Sequence, residues 1–283
     1  MRSISPVTAR LLAPGRPPAP AARLRRGVRR ALRGADAAAA RVVRTPALLV
    51  PAMGGVTLLG LFLDSLVGVG LQLLLALAAW IILLVVCRYQ TSERRAQTAV
   101  VVVVATCAEV VGSIIWGVYE YRLGNLPLFV PPGHGLVYLS GAAIADLGPA
   151  RRHPRILVGL AIVLVLGWAA LGLTVLPRPD VAGALGAVTL TIFLLRGRAP
   201  TIYAGVFLAV AFLELYGTAV GTWRWAAEVP GLGIPDGNPP SGAASGYVLF
   251  DIAALALAPA VLRLARAVRR SAAGVPGPAV GKT

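Results

Sequence analysis

Residues 68–87 read GVGLQLLLALAAWIILLVVC, a run of twenty without a charged side chain, and Arg88 follows at once. At 1.5 Å per residue, a helix of that length covers about 30 Å, the hydrocarbon thickness of a bilayer. Only Gln72 in the run is strongly polar, so no face is reserved for water. The run therefore predicts a transmembrane helix. Working outward, comparable apolar runs lie at 47–64, 97–119, 133–148, 156–176, 181–195, 201–220 and 245–262. The expected fold is an all-α integral membrane protein with about eight transmembrane helices, the fourth and sixth of them short. Composition agrees: of 283 residues, 57% are hydrophobic and 13% charged. The mean hydropathy is +0.78, far from that of soluble domains.

The formal net charge of +16 raises the question of nucleic acid, but the basic residues sit at the ends of the chain and between apolar runs. Lys and Arg gather in cytoplasmic loops. With the N-terminus inside, the inner segments carry eleven Arg in the tail, Arg88/Arg94/Arg95, Arg151/Arg152/Arg155, Arg196/Arg198, and Arg263/Arg266/Arg269/Arg270 with Lys282. The outer segments carry only Arg122, Arg178 and Arg224. This alternation favours eight crossings over seven, both termini cytoplasmic, and partners among anionic lipid head groups rather than nucleic acid. The Arg, Ala, Gly and Pro bias fits a GC-rich bacterium, hence a bacterial inner membrane. Residues 1–45, which include the Pro-rich stretch 14–20, read as a basic disordered tail, and 266–283 as a second cytoplasmic tail. The alternative for 23–33 is a basic amphipathic helix on anionic lipid.

The chain repeats itself. Glu109-Val110-Val111-Gly112, Gly117-Val118-Tyr119-Glu120-Tyr121, Pro131-Pro132 and Tyr138 return as Glu214-Leu215-Tyr216-Gly217, Gly221-Thr222-Trp223-Arg224-Trp225, Pro239-Pro240 and Tyr247. The offsets are 105, 104, 108 and 109 residues. Both copies start from the cytoplasmic side, so the expected organisation is two parallel four-helix halves, 46–150 and 151–265, with a site at their interface.

An ionisable side chain deep in a bilayer costs about 3 kcal/mol or more and usually faces a cavity or a partner. Glu109, Glu214 and Asp251 qualify as candidate catalytic acids, and His134, at the mouth of the fourth helix, as a proton shuttle. Tyr119, Tyr121, Trp223 and Trp225 are candidate substrate-binding rings, able to stabilise a cation through their π faces, although an interfacial aromatic belt explains them equally simply. Arg122 and Arg224, with Glu120 and Glu228 as ordinary partners, are candidate substrate-binding residues able to hold an anionic head group, and Asn238, like Asn125, is a candidate polar contact to substrate. Asp64 reads as a solvated helix end. Cys87 and Cys107 have no metal-ligand spacing, so neither a metal site nor a cofactor is implied. Soluble nucleotide-binding and nucleophile motifs do not occur.

The stretch ELYGTAVGTWRW at 214–225, followed by Gly233-Ile234-Pro235, resembles the carotenoid hydratases and the small membrane lycopene cyclases over about twenty residues, with a weaker copy at 109–121. The cyclases carry Pro-x-Glu-Glu after the loop, where this chain has Pro239-Pro240-Ser241-Gly242. The resemblance implies that Glu214 or Glu109 protonates a carbon–carbon double bond, the aromatic residues stabilise the carbocation, and water or an alkene captures it. The expected function is a membrane-embedded enzyme that hydrates, cyclises or isomerises an isoprenoid or other long apolar lipid. The alternatives are a proton-coupled transporter and an envelope-assembly scaffold.

Overall fold

The computed structural model describes residues 19–272. Helix α1, Ala19–Arg44, occupies most of the segment expected to be disordered. Past Pro20 that stretch contains no proline and is rich in Ala, Leu and Arg, all strong helix formers. Leu24, Val28 and Leu32 lie on one exposed stripe of it. Residues 1–18 and 273–283, the rest of the two expected tails, lie outside the described residues. By internal contacts the chain divides after Arg41, and α1 supplies most of the described part of the smaller unit.

The larger unit begins with α2 (Pro46–Leu66), α3 (Val69–Arg88) and α4 (Ser92–Glu109). The last of these runs on as a π-helical turn, Val110–Trp116. After β1 (Tyr119–Tyr121) come α5 (Val130–Ala145), the short α6 (Gly148–Arg152), α7 (Pro154–Thr174), α8 (Val181–Arg196) and α9 (Pro200–Ala219). Strands β2 (Trp223–Trp225), β3 (Glu228–Val229) and β4 (Ile234–Pro235) precede α10 (Ala244–Ala272). Among the described residues, six helices are long and apolar enough to cross a membrane: α2, α3, α4 with its π turn, α7, α9 and α10. The other two expected crossings, α5 and α8, have 16 residues each, about 24 Å at 1.5 Å per residue. Of about eight expected crossings, the fourth and sixth expected to be short, six are present as helices of spanning length, and the other two fall below that length. Pro131 and Pro132 occupy the first turn of α5 and start it at Val130, earlier than the expected 133.

The outward surface is that of a lipid-facing bundle. Leu73, Leu74, Leu77, Ile81 and Leu84 of α3 are each more than half exposed. Inside, α4 packs chiefly on α10 and α5 on α9, while α7 and α8 form a hairpin beside them. Gly141 of α5 and Gly205 of α9 allow their helices to touch backbone to backbone; a Cβ on either would run into the other helix. The largest core cluster joins α7, α8 and α9 to the inner faces of α4, α5 and α10 through Val101, Tyr138, Val165, Leu190, Phe207 and Val248. A smaller one joins α2 and α3 to α5.

Strands β1 and β2 pair antiparallel, with Tyr119 opposite Trp225, Glu120 opposite Arg224 and Tyr121 opposite Trp223. The loop beyond β2 is fastened to the α7–α8 connection by two side chains. The buried Asp180 carboxylate accepts backbone N–H bonds from Gly183, Gly237 and Ser241 at 3.1, 2.9 and 2.8 Å. Arg178 donates to the carbonyls of Trp225, Ala226 and Asp236. Asp236 lies against this knot, and burial, with the neighbouring Asp180 charge, pushes its carboxyl up to about 7.

Candidate functional site

The two Glu-x2-Gly units set their glutamates under rings in a like manner, the first where α4 passes into its π-helical turn and the second within regular α9. Glu109 closes the regular part of α4, and its Oε2 accepts hydrogen bonds from Tyr121 Oη at 2.8 Å and Tyr119 Oη at 2.9 Å. Glu214 lies within α9, and its Oε2 accepts from Trp223 Nε1 at 2.9 Å and Trp225 Nε1 at 3.0 Å. The glycine one turn after each glutamate makes room for this. A Cβ on Gly217 would overlap the Trp223 ring, and one on Gly112 would come within 3.0 Å of the Tyr119 hydroxyl. The next repeated glycines, Gly117 and Gly221, reverse the chain into the strands with φ of +74° and +76°, a conformation a side chain resists.

Pleating sets what each strand residue does. Residues 119, 121, 223 and 225 turn toward the glutamates, while Glu120 and Arg224 turn away and are exposed. The four rings pack across the strand pair, with Tyr119 4.7 Å from Trp225 and Tyr121 6.3 Å from Trp223 between centroids. They form an aromatic roof. Beneath it lies a cavity of about 990 Å³, lined by both glutamates and otherwise mainly by apolar residues of α2, α3, α4, α5, α9 and α10, among them Met53, Leu75 and Phe212. Burial first, then the charges of Glu109 and Glu214, push the Tyr119 phenol well above its ordinary value, so both carboxyls act on that one ring.

His134 completes the Glu109 side. Its Nε2 lies 2.8 Å from Glu109 Oε1, and its ring packs on Tyr247 at 5.1 Å and Phe250 at 5.8 Å. Nδ1 is buried without a partner. Glu109 thus has both oxygens engaged by protein groups. Glu214 has only Oε2 engaged, which leaves Oε1 for whatever occupies the cavity.

Six of the sequence-derived candidates, Glu109, Glu214, Tyr119, Tyr121, Trp223 and Trp225, converge on this cavity, and His134 joins them. Four do not. Asp251 is buried outside the cavity wall, within electrostatic reach of Arg94, Tyr138 and Tyr203, because it lies one helical turn beyond Tyr247 toward the Arg94 end of α4. Arg122, Arg224 and Asn238 line a shallow 350 Å³ pocket with Glu120 on the outer side of the roof. Among the described residues, neither Arg122 nor Arg224 is ion-paired to Glu120 or Glu228. Arg122 instead donates to the carbonyls of Asp64 and Val67, and Asn238 Oδ1 accepts from Trp225 N at 2.9 Å.

Asp64, expected to be solvated, is buried and accepts from Gln72 Nε2 at 2.8 Å. Gln72 in turn accepts from Asn125 Nδ2 at 2.8 Å. Tyr247 and Phe250, which line the cavity beside His134, are site residues that the sequence reading misses, although the pairing of Tyr247 with Tyr138 in the repeat is a signal for the first of them. Among the described residues, no cluster of three His, Cys, Asp or Glu is placed to hold a metal. Comparison with protein-family models, with curated proteins and with solved structures gives no match.

Proposed function

We propose that this chain is a membrane-embedded enzyme that acts on an isoprenoid or other long apolar lipid by carboxyl acid/base chemistry, as its resemblance to the carotenoid hydratases implies. The observation that carries the reading is the pair of buried glutamates under four aromatic rings in one large apolar cavity. An apolar cavity of about 990 Å³ suits a long hydrocarbon. Glu214 Oε1 delivers a proton to a carbon–carbon double bond, and the positive charge develops on the adjacent carbon, where the faces of Tyr119, Trp225 and their neighbours stabilise it. Water then adds to the cation, and Glu109 with His134 takes up the proton that the water releases. In a cyclisation an internal alkene takes the place of water, and the same pair removes the proton from carbon.

The reading includes two parallel four-helix halves, 46–150 and 151–265, that cross a bacterial inner membrane eight times with both termini cytoplasmic. It is supported by the charge alternation, by the matching partners α4–α10 and α9–α5, and by a strand pairing that sets each half's first aromatic opposite the other half's second. The short α5 and α8 can cross by thinning the bilayer locally. A second reading, proton-coupled transport, is favoured by one observation, the buried polar groups below the cavity around Asp251. A scaffold has no use for the cavity.

The test is expression in bacteria that accumulate an acyclic carotenoid, with pigments identified by liquid chromatography and mass spectrometry. The enzyme reading expects a hydrated or cyclised product that falls by roughly 10²-fold or more in Glu214→Gln. An unchanged pigment profile on expressing the folded wild type, across acyclic substrates of differing length, would overturn it.

A further inference from the structure

Below the cavity, the interface of α4, α5 and α10 continues from His134 into a file of polar side chains that the acid chemistry does not use. His134 and Tyr138 are four residues apart on α5, and Tyr247 and Asp251 four apart on α10, each step about 6 Å along its helix axis. Tyr138 Oη donates to Gln97 Oε1 at 2.8 Å and lies 3.5 Å from Arg94 Nη1. At the cytoplasmic end, Gln97 Nε2 reaches Glu93 at 3.4 Å and Arg94 lies 3.7 Å from Asp146, whose side chain is half exposed. Two atoms in this file are buried without a hydrogen-bond partner: Asp251 Oδ2 and His134 Nδ1. A fold built only for stability leaves few such atoms in a membrane interior, where each one is expensive.

We infer that Asp251 is the middle station of a proton path that joins the Glu109–His134 pair to the cytoplasmic surface. The inference rests on reading Glu109 and Glu214 as working acids. A proton enters at Glu93 or Asp146 and passes through the Tyr138 hydroxyl, which Gln97 and Arg94 orient, and a bridging water to the Asp251 carboxylate. Asp251 passes it through a second water to His134 Nδ1 while His134 Nε2–H releases its proton to Glu109 Oε1, so the imidazole gains one proton and loses one. The charged and titratable groups facing Asp251 are Arg94 from α4, Tyr138 from α5 and Tyr203 from α9. The one titratable residue of α8 is Arg196 in its last turn. On the other side Tyr121 and Trp223 stand between the cavity and the pocket that holds Glu120 and Arg224, and no comparable file of polar side chains leads away there among the described residues.

The test uses the full chain in vesicles of known orientation, with no substrate present. The carboxylic-acid C=O band that disappears in Glu109→Gln or Glu214→Gln is followed by infrared difference spectroscopy after a pH jump on one side. In the wild type the band should respond to the cytoplasmic jump. In Asp251→Asn the response should slow by roughly 10²-fold. Tyr138→Phe, which keeps the ring packing, should slow it as well, and carries the test if the aspartate variant does not fold. A band that follows the outer jump instead, or keeps its rate in both variants, overturns the path. A chain that exchanges protons with the cytoplasm yet converts no lipid sinks only the enzyme reading. Lipid conversion with outer-side exchange sinks only the path.

Discussion

Glu214 and Glu109 are the same residue in two copies of one motif, yet their surroundings separate them: two indole N–H groups on one oxygen against three donors spread over both. Trp225→Phe keeps a ring under the roof and removes one of the two N–H bonds, so conversion should fall by roughly tenfold, with a thermal midpoint close to wild type. A drop in the midpoint as large as that from Trp225→Ala would assign the indole to packing alone. At Asp236 the sign of a pH effect follows from its shift. The folded-state value of about 7 lies above the ordinary 3.8. Between those values the folded chain holds a proton that the unfolded chain has released, so the folded state loses stability as pH rises through this window. Tryptophan-monitored melting in detergent should show the midpoint falling from pH 5 to pH 7, and Asp236→Asn should flatten that slope. At this scale the glutamates and rings were legible because the motif occurs twice and burying charge in lipid is costly. Asp64 and Asp251 were not, since depth along a helix says nothing of which loop or helix covers that side.

At the scale of elements, each Glu-x2-Gly segment is a helix end cut to fit a ring. Gly217→Ala should displace Trp223 and cost about 1–3 kcal/mol of stability, as overpacking does, read as a lower midpoint with quenched or shifted indole fluorescence. Gly60 of α2 lines the cavity with open space where a Cβ would stand. Gly60→Phe should therefore fold normally, with stability within about 0.5 kcal/mol of wild type, and still block conversion of a long substrate. Unhindered conversion in that variant would place the lipid elsewhere. The apolar runs announced the helices because length and hydropathy alone decide a span. Of the helix at 19–44, only 23–33 was legible, as the alternative to a disordered tail, because the nearby prolines and the density of arginine argue against order, and the short α5 was displaced by where its two prolines sit in the first turn.

At the scale of the whole molecule, the cavity exists because the two sides of the bundle are filled differently. Helices α7 and α8 pack closely into the large core, whereas α2 and α3 stand as one wall of the open space. No sequence pattern marks this difference, because both pairs are equally apolar. The strand pair over the cavity has a consequence for how such a molecule arises. Its register, Tyr119 to Trp225 and Tyr121 to Trp223, is the self-complementary pairing that two identical subunits make across a two-fold axis. On the reading of two related halves, an ancestral homodimer would have had two equal glutamates under four equal rings. On that same reading, joining the two copies in one chain would free each from matching the other, which allows tyrosines and a histidine around one acid and indoles around the other. Fragments 1–150 and 151–283, co-expressed as separate chains, should then find each other in the membrane and restore the ribbon; their failure to associate would count against that origin.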